Sequence, residues 1–462
     1  MSNIFRQYDI RGIVGPEIDN AMMYKIARAF AVLAKKQGQT DILLGRDNRH
    51  SSPELAKIVS QALIESGCNV IDLGVVITPM FYYASRHLNI YAGIMVTASH
   101  NPPEYNGCKL LLGESTIYGD DIQEIRRLVE AGGFESSSTI GKMSTRDILP
   151  DYAAMIREKI QLGSRPLKVV VDCANGTASL FAPTILSDLG CEVIELYCDS
   201  NPDYPNHHPD PVNPDNMDDL IKIVRENQAD LGIGFDGDGD RLGVVDDQGN
   251  LIWGDKLMIL FWRELLPRYP GTDAIVEVKC SQGLIDEIER LGGNVVMYRT
   301  GHSLIKARMK EINAIFTGEM SGHMFFADEY YGYDDAVYAA ARLLALLSKS
   351  EQKLSEMLAD IPVYYSTPEI RVTNSDQEKF EIVNKVLKHF QKKYDVITVD
   401  GARVLFPDGW GLVRASNTGP ELIVRCEGRT PEALKSIKNE LFNYLKSIDV
   451  KVSDRYLIEA EV

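Results

Sequence analysis

Apolar and polar positions follow two rhythms along this chain. Short continuous apolar runs, such as Ile94-Met95-Val96 and Leu231 to Phe235, read as buried strands, and the longer stretches between them carry a helical period. One plan occurs three times. DILLGRDNRHSS, KVVVDCANGTAS and AIVEVKCSQG each begin in a β-rich run, turn through a polar loop and enter a helical stretch. The helices close on GCNVIDL, GCEVIEL and GGNVVMY. Glycine after the last turn supplies a left-handed cap, and the Val-rich run behind it starts a new strand. Strands alternating with helices imply βαβ units and largely parallel pairing. The repeat is too long for a stacked solenoid, so it predicts three related α/β domains with mixed, largely parallel sheets.

From about Ser366 the pattern changes. Strand-like EIRVTN, a helix near Glu378 to Lys393, strands around VITVD and ELIVRCEG, and a helix from Pro431 predict a smaller α+β domain. The expected domains are 1–149, 150–252, 253–365 and 366–462.

Composition is that of a globular protein, with 45% hydrophobic and 25% charged residues. A formal charge of -17 sets the average field against nucleic acid and anionic membranes. A phosphorylated ligand would need a local cluster of cations. The seven cysteines are odd in number and form no Cys-x-x-Cys pair, which argues against a disulfide framework or structural zinc and for a reducing cytoplasm. The N-terminus has no apolar signal region, and the longest apolar run, around Ala336 to Leu347, carries Arg342 and is too short to span a bilayer. A cytoplasmic, soluble protein is expected.

Four loops carry candidate chemistry. In VTASHNPPEYNGCK, Ser99 follows a strand and is stiffened by two prolines and a glycine. Asp236, Asp238 and Asp240 alternate with glycines; three carboxylates so close repel one another, and a hard cation such as Mg²⁺ would relieve that. An EF-hand is excluded by Arg241 and Asp247 at its sixth and twelfth positions, and a dinucleotide fingerprint by the acidity of the loop. Glu319, Ser321 and His323 alternate, so an extended loop would turn them to one side, suited to sugar hydroxyls. Arg414, Ser416, Asn417 and Thr418 gather a guanidinium, hydroxyls and an amide suited to phosphate, although taken alone this loop reads more simply as a polar turn before a proline. Arg11, Lys109 and Lys279 could line a phosphate pocket, and His302 could move a proton or simply bond within its loop. His207 and His208 read as structural.

TASHNPPEYNG, DGDGDR, GEMSGH and RASNTGP, in this order, resemble the motifs of the α-D-phosphohexomutase superfamily, in its bacterial phosphomannomutase/phosphoglucomutase branch. The resemblance covers essentially the whole chain, including QYDIRG and NHHPDP. It implies four domains around a central cleft, and a hexose 1-phosphate/6-phosphate mutase working through a phosphoserine and a hexose 1,6-bisphosphate. By it, Ser99 carries the phosphoryl group, and Asp236, Asp238 and Asp240 bind Mg²⁺ together with a phosphoserine oxygen. Glu319, Ser321 and His323 match the sugar loop, and Arg414, Ser416, Asn417 and Thr418 the phosphate loop. Tyr8, Arg11, Lys109, Arg241, Lys279 and His302 match further active-site positions, with Arg11, Lys109 and His302 as candidate proton carriers. Gly419 departs from the family's usual glutamate before the proline. Alternatives on the same scaffold are a phosphoglucosamine mutase, against which Met320 argues, a Mg²⁺-dependent sugar phosphatase, and a non-catalytic sugar-phosphate sensor. Sugar-phosphate ligands are expected, with no nucleic acid or membrane partner.

Overall fold

The computed structural model describes residues 4–135, 137–375, 377–416 and 419–452. The chain divides into two compact units, Met1–Leu257 with His302–Ala359, and Met258–Gly301 with Asp360–Val462.

In the first unit, a sheet runs in the order Ile10–Ile13, Tyr105–Leu112, Ala92–Val96, Asp41–Arg46, Asn69–Val75, Met143–Thr145. The four strands from Ala92–Val96 to Met143–Thr145 are parallel, and the two at the other edge are antiparallel. Helices Asn20–Lys36 and Ser52–Glu65 cover it, with Phe30, Leu44, Val59 and Ile94 among the residues of one core. A second sheet has the order Leu251–Ile252, Leu242–Asp246, Leu231–Phe235, Lys168–Asp172, Glu192–Leu196. Its last three strands are parallel, and Leu231–Phe235 is buried along its whole length. That continuous burial explains why the strand reads as an unbroken apolar run. A short hairpin, Phe316–Gly318 with Met324–Phe326, and the helix Ala336–Ser348 complete the unit. The helix is N-capped by Asp335, whose carboxylate accepts from the Tyr338 N–H.

In the second unit, Asp273–Glu277 and Asn294–Tyr298 pair in parallel, as the third repeat predicts. The C-terminal sheet is antiparallel, in the order Tyr365–Ser366, Glu421–Gly428, Gly409–Ala415, Ala402–Phe406, Asp395–Ile397, with Ile370–Thr373 also on Glu421–Gly428. Helices Glu378–Phe390 and Pro431–Ser447 bury Val386, Phe390 and Leu441 against it. Two strands of this sheet, Ala402–Phe406 and Gly409–Ala415, were not expected from the sequence, although Pro407-Asp408-Gly409 between them is a turn signal. Among the described residues no helix is long and apolar enough to cross a membrane, and all seven cysteines are free.

Candidate active site

Ser99 lies on the connection between strands Ala92–Val96 and Tyr105–Leu112, and its backbone is left-handed, with φ of 51°. That conformation is strained for a side chain with a Cβ and persists only where the surroundings impose it. Here Arg49 imposes it. Its guanidinium, fully buried, donates to the carbonyls of Ser99 (2.7 Å), Asn101 (2.6 Å), Pro102 (2.6 Å) and Tyr105 (3.1 Å) and pairs with Asp47 at 3.1 Å. The Ser99 N–H donates to Thr97 Oγ1 at 2.9 Å. The serine hydroxyl is thereby aimed at the acidic loop, donating to Asp236 Oδ2 at 2.8 Å, with His100 Nδ1 3.1 Å away.

The acidic loop follows directly on Leu231–Phe235 and turns tightly. Gly239 is left-handed, and a Cβ at Gly237 would meet the Ser99 carbonyl oxygen at 2.3 Å, so glycine there lets the two loops touch. All three aspartates are fully buried. Asp236 Oδ1 accepts from the N–H groups of Asp240 (3.0 Å) and Arg241 (3.2 Å). Asp238 Oδ2 accepts from Thr78 (2.7 Å), Thr97 (3.3 Å) and Lys109 (2.7 Å), and Lys109 also donates to Asp240 Oδ2. Burial, then Asp240 and Asp238, raise the Asp236 pKa well above the ordinary carboxylate value. Burial works against the Lys109 ammonium, but Asp238 and Asp240 outweigh it and keep it charged far into the basic range.

Asp238 Oδ1 and Asp240 Oδ1 are buried with no hydrogen-bond partner in the structure. Buried carboxylate oxygens are seldom left so. One ligand atom from each aspartate lies within 4.8 Å of the others, and an all-oxygen set suits a hard divalent cation. The residues fit such an ion.

Beside the aspartates stands a second group. Arg241 Nε donates to His323 Nε2 at 3.0 Å, which leaves Nδ1 as the nitrogen that carries a proton in the neutral ring. His323 Nδ1 lies 3.1 Å from Asp334 Oδ2 and 3.6 Å from Asp240 Oδ1. The His302 ring stacks on that of His323 at 5.5 Å, and its Nδ1 is 3.5 Å from Asp334. Lys306 donates to Asp334 Oδ1 at 2.9 Å and lies 3.3 Å from His302 Nδ1. Burial, then the Lys306 charge, push the His302 pKa well below the ordinary histidine value, so its ring is neutral at pH 7. Tyr8 meets His302 edge-on at 6.0 Å, and Arg11 binds Asn101 and, at 2.5 Å, Asp9.

The expected extended sugar loop is corrected here. Residues 319–323 form the turn of the Phe316–Gly318 and Met324–Phe326 hairpin, closed by Glu319 N–H to His323 carbonyl at 2.9 Å and Gly322 N–H to Glu319 carbonyl at 3.0 Å. Closure of the turn, rather than strand alternation, brings Glu319 and His323 together. Both are buried, while Ser321 is half-buried. His207 Nε2 bonds Asp172 at 2.9 Å, in keeping with a structural role.

Lys279, Arg414 and Ser416 lie in the second unit. The Lys279 ammonium is 3.0 Å from Glu369 and 3.9 Å from Glu277. Its backbone segment is held by two guanidinium groups: Arg403, stacked at 3.9 Å on the Trp410 ring, donates to the Val278 (2.7 Å) and Cys280 (2.9 Å) carbonyls, and Arg425 donates to that of Lys279. Arg414 is the penultimate residue of the strand Gly409–Ala415 and donates to Asp400 at 2.9 Å. Lys379 donates to the Ser416 (2.8 Å) and Gly419 (3.0 Å) carbonyls. Asn417 and Thr418 lie outside the described residues.

Sequence reasoning missed Arg49, Asp334, Lys306, Asp400 and Glu369 as members of these groups. His302 and Lys306, four apart on the helix His302–Ile312, share one face, which was a usable signal. The others act across 11 to 90 positions and leave no local trace.

Comparison with known proteins is consistent throughout. Profiles of the phosphoglucomutase/phosphomannomutase alpha/beta/alpha domains I, II and III match residues 2–136, 150–249 and 253–365, and that of its C-terminal domain matches 369–443. A phosphomannomutase/phosphoglucomutase of Pseudomonas aeruginosa is 45% identical over 449 residues, covering 97% of this chain and 96% of its own. A phosphoglucomutase of Neisseria meningitidis is 43% identical over 450 residues, covering 96% and 97%. The crystal structure of a phosphoglucomutase/phosphomannomutase family protein from Burkholderia thailandensis superposes with a TM-score of 0.91 at 39% identity, covering 97% and 98%. With all four domain profiles matched in order, and a strained serine hydrogen-bonded to one of three buried aspartates, the chain belongs to the phosphoglucomutase/phosphomannomutase family.

Proposed function

We propose that this protein is a phosphohexomutase that interconverts the 1- and 6-phosphates of glucose and mannose through a phosphorylated Ser99. The single observation that carries the reading is the 2.8 Å contact of Ser99 with Asp236, beside two orphaned carboxylate oxygens. The names of the relatives, phosphomannomutase/phosphoglucomutase and phosphoglucomutase, support the substrate class.

In this reading the bond from phosphorus to Ser99 Oγ breaks as a free sugar hydroxyl attacks, and a new bond from phosphorus to the sugar oxygen forms. The product is a hexose 1,6-bisphosphate. It turns end for end and returns its other phosphate to Ser99, leaving the isomerised monophosphate. Mg²⁺, held by Asp236, Asp238 and Asp240 with an oxygen of the phosphorylated Ser99, would supply charge compensation for the transferring group. Arg49 fixes the serine, because phosphoryl transfer depends mostly on position and electrostatics. Lys109, kept charged by two aspartates, suits an electrostatic role better than that of a base. His302, neutral in its buried setting, has a nitrogen free to take the hydroxyl proton, but burial and the Lys306 charge make it a weak base; His323 shares Asp334 with it. Tyr8, Arg11 and Arg241 line the same group, Glu319 and Ser321 contact sugar hydroxyls, and Lys279, Arg414, Ser416, Asn417 and Thr418 hold the phosphate that is not reacting.

The test is peptide mass spectrometry for phosphate on Ser99, combined with conversion of glucose 1-phosphate and mannose 1-phosphate in Mg²⁺ and a trace of bisphosphate. Formation of both 6-phosphates is expected. Release of inorganic phosphate without isomerisation would make the protein a phosphatase instead.

A further inference from the structure

We propose that Glu369 is a displaceable counter-anion, which neutralises Lys279 before a phosphate arrives and so limits how tightly the second unit grips its ligand. The inference rests on the reading that Lys279 and Arg414 receive a phosphate. Lys279 is only 6% exposed, and an ammonium so buried requires a negative partner. Among the described residues of the second unit, two carboxylates stand beside it, and they differ. Glu277 is fully buried, 3.9 Å away, and already accepts a 2.5 Å hydrogen bond from Thr300. Glu369 is closer, at 3.0 Å, and a quarter of its side chain reaches solvent.

The two oxygens of Glu369 have separate partners. Oε2 takes Lys279, while Oε1 takes Arg371 at 3.0 Å, a guanidinium that is 60% exposed. A phosphate oxygen offers Lys279 the same kind of contact as Oε2. When it does so, Glu369 stays anchored to Arg371 at the surface and is never left buried without a partner. Glu277 has no such retreat. Lys279 above all, against burial and with help from Arg371 and Arg414, holds the Glu369 carboxyl at about 2, so this partner is ionised at every pH at which the protein works. The chemistry needs such restraint: a grip equally strong before and during transfer lowers KM without raising kcat, and it slows the release that re-docking requires.

Steady-state kinetics with glucose 1-phosphate, and inorganic phosphate as competitor, test this in Glu369→Gln, Glu369→Ala and Lys279→Met. Both Glu369 variants should lower the inhibition constant of phosphate and the KM by about three- to tenfold, and lower kcat as release slows. Lys279→Met should raise both constants. A weakened Lys279→Met beside Glu369 variants whose phosphate inhibition is unchanged or poorer would overturn the counter-anion while leaving the docking assignment intact. Unchanged phosphate inhibition in Lys279→Met would remove the docking assignment, and the counter-anion with it.

Discussion

The serine loop and the Lys279–Arg414 region both gather buried charge, and they treat it in opposite ways. Around Ser99 the protein keeps tension: a left-handed serine, three adjacent aspartates, and two carboxylate oxygens without hydrogen-bond partners. Around Lys279 and Arg414, each cation already lies against a carboxylate, Glu369 or Asp400. A centre that changes bonds gains from groups whose balance is completed only when the reacting species arrive. In the proposed function the Lys279–Arg414 region takes up and gives back a phosphate, and such a region gains from charges that are balanced beforehand.

Three perturbations separate the two regions. The largest effect is expected from Ser99→Ala, which should lower kcat by on the order of 10⁴-fold or more while glucose 1-phosphate binding, followed by calorimetry, is retained. Near-normal turnover would sink the contrast, because the strained position would then have no reaction to serve. Next, Gly237→Ala puts a Cβ 2.3 Å from the Ser99 carbonyl oxygen and must part the two loops. It should lower kcat by about 10- to 100-fold with phosphate inhibition unchanged, a split visible in one set of rate curves. The smallest effect concerns acid. Glu369 is held at about 2 in the folded protein against 4.5 ordinarily, so its contribution is complete above about pH 4.5 and is lost as pH falls toward 2. At most it amounts to about 3 kcal/mol. Thermal melts between pH 6 and 3 should show wild type losing more stability than Glu369→Gln; parallel curves would mean that the pairing adds nothing to the fold.

What could be read beforehand follows from how far each interaction reaches along the chain. The strand–helix–strand repeats were legible because glycine caps and Val-rich runs are local. The placement of Ser99 and the three aspartates on loops at strand ends was legible because each loop is a dense cluster of unusual residues. Residues 319–323 were misread because alternation of Glu319, Ser321 and His323 fits an extended segment as well as a tight turn, and only the pairing of Phe316–Gly318 with Met324–Phe326 decides. Arg49 was read merely as part of a repeated loop, since its four acceptors lie 50 to 56 positions away. Asp334 stands in a Tyr- and Asp-rich stretch that suggested nothing, until the fold set two imidazoles and an ammonium around it.

The φ of 51° at Ser99 has an evolutionary side. Glycine occupies that region without the Cβ clash that burdens other residues by about 1 kcal/mol. Drift toward a hardier protein would therefore favour glycine at this spot, and in the proposed reaction the need for a hydroxyl opposes it. On that reading the position gives up some durability for turnover.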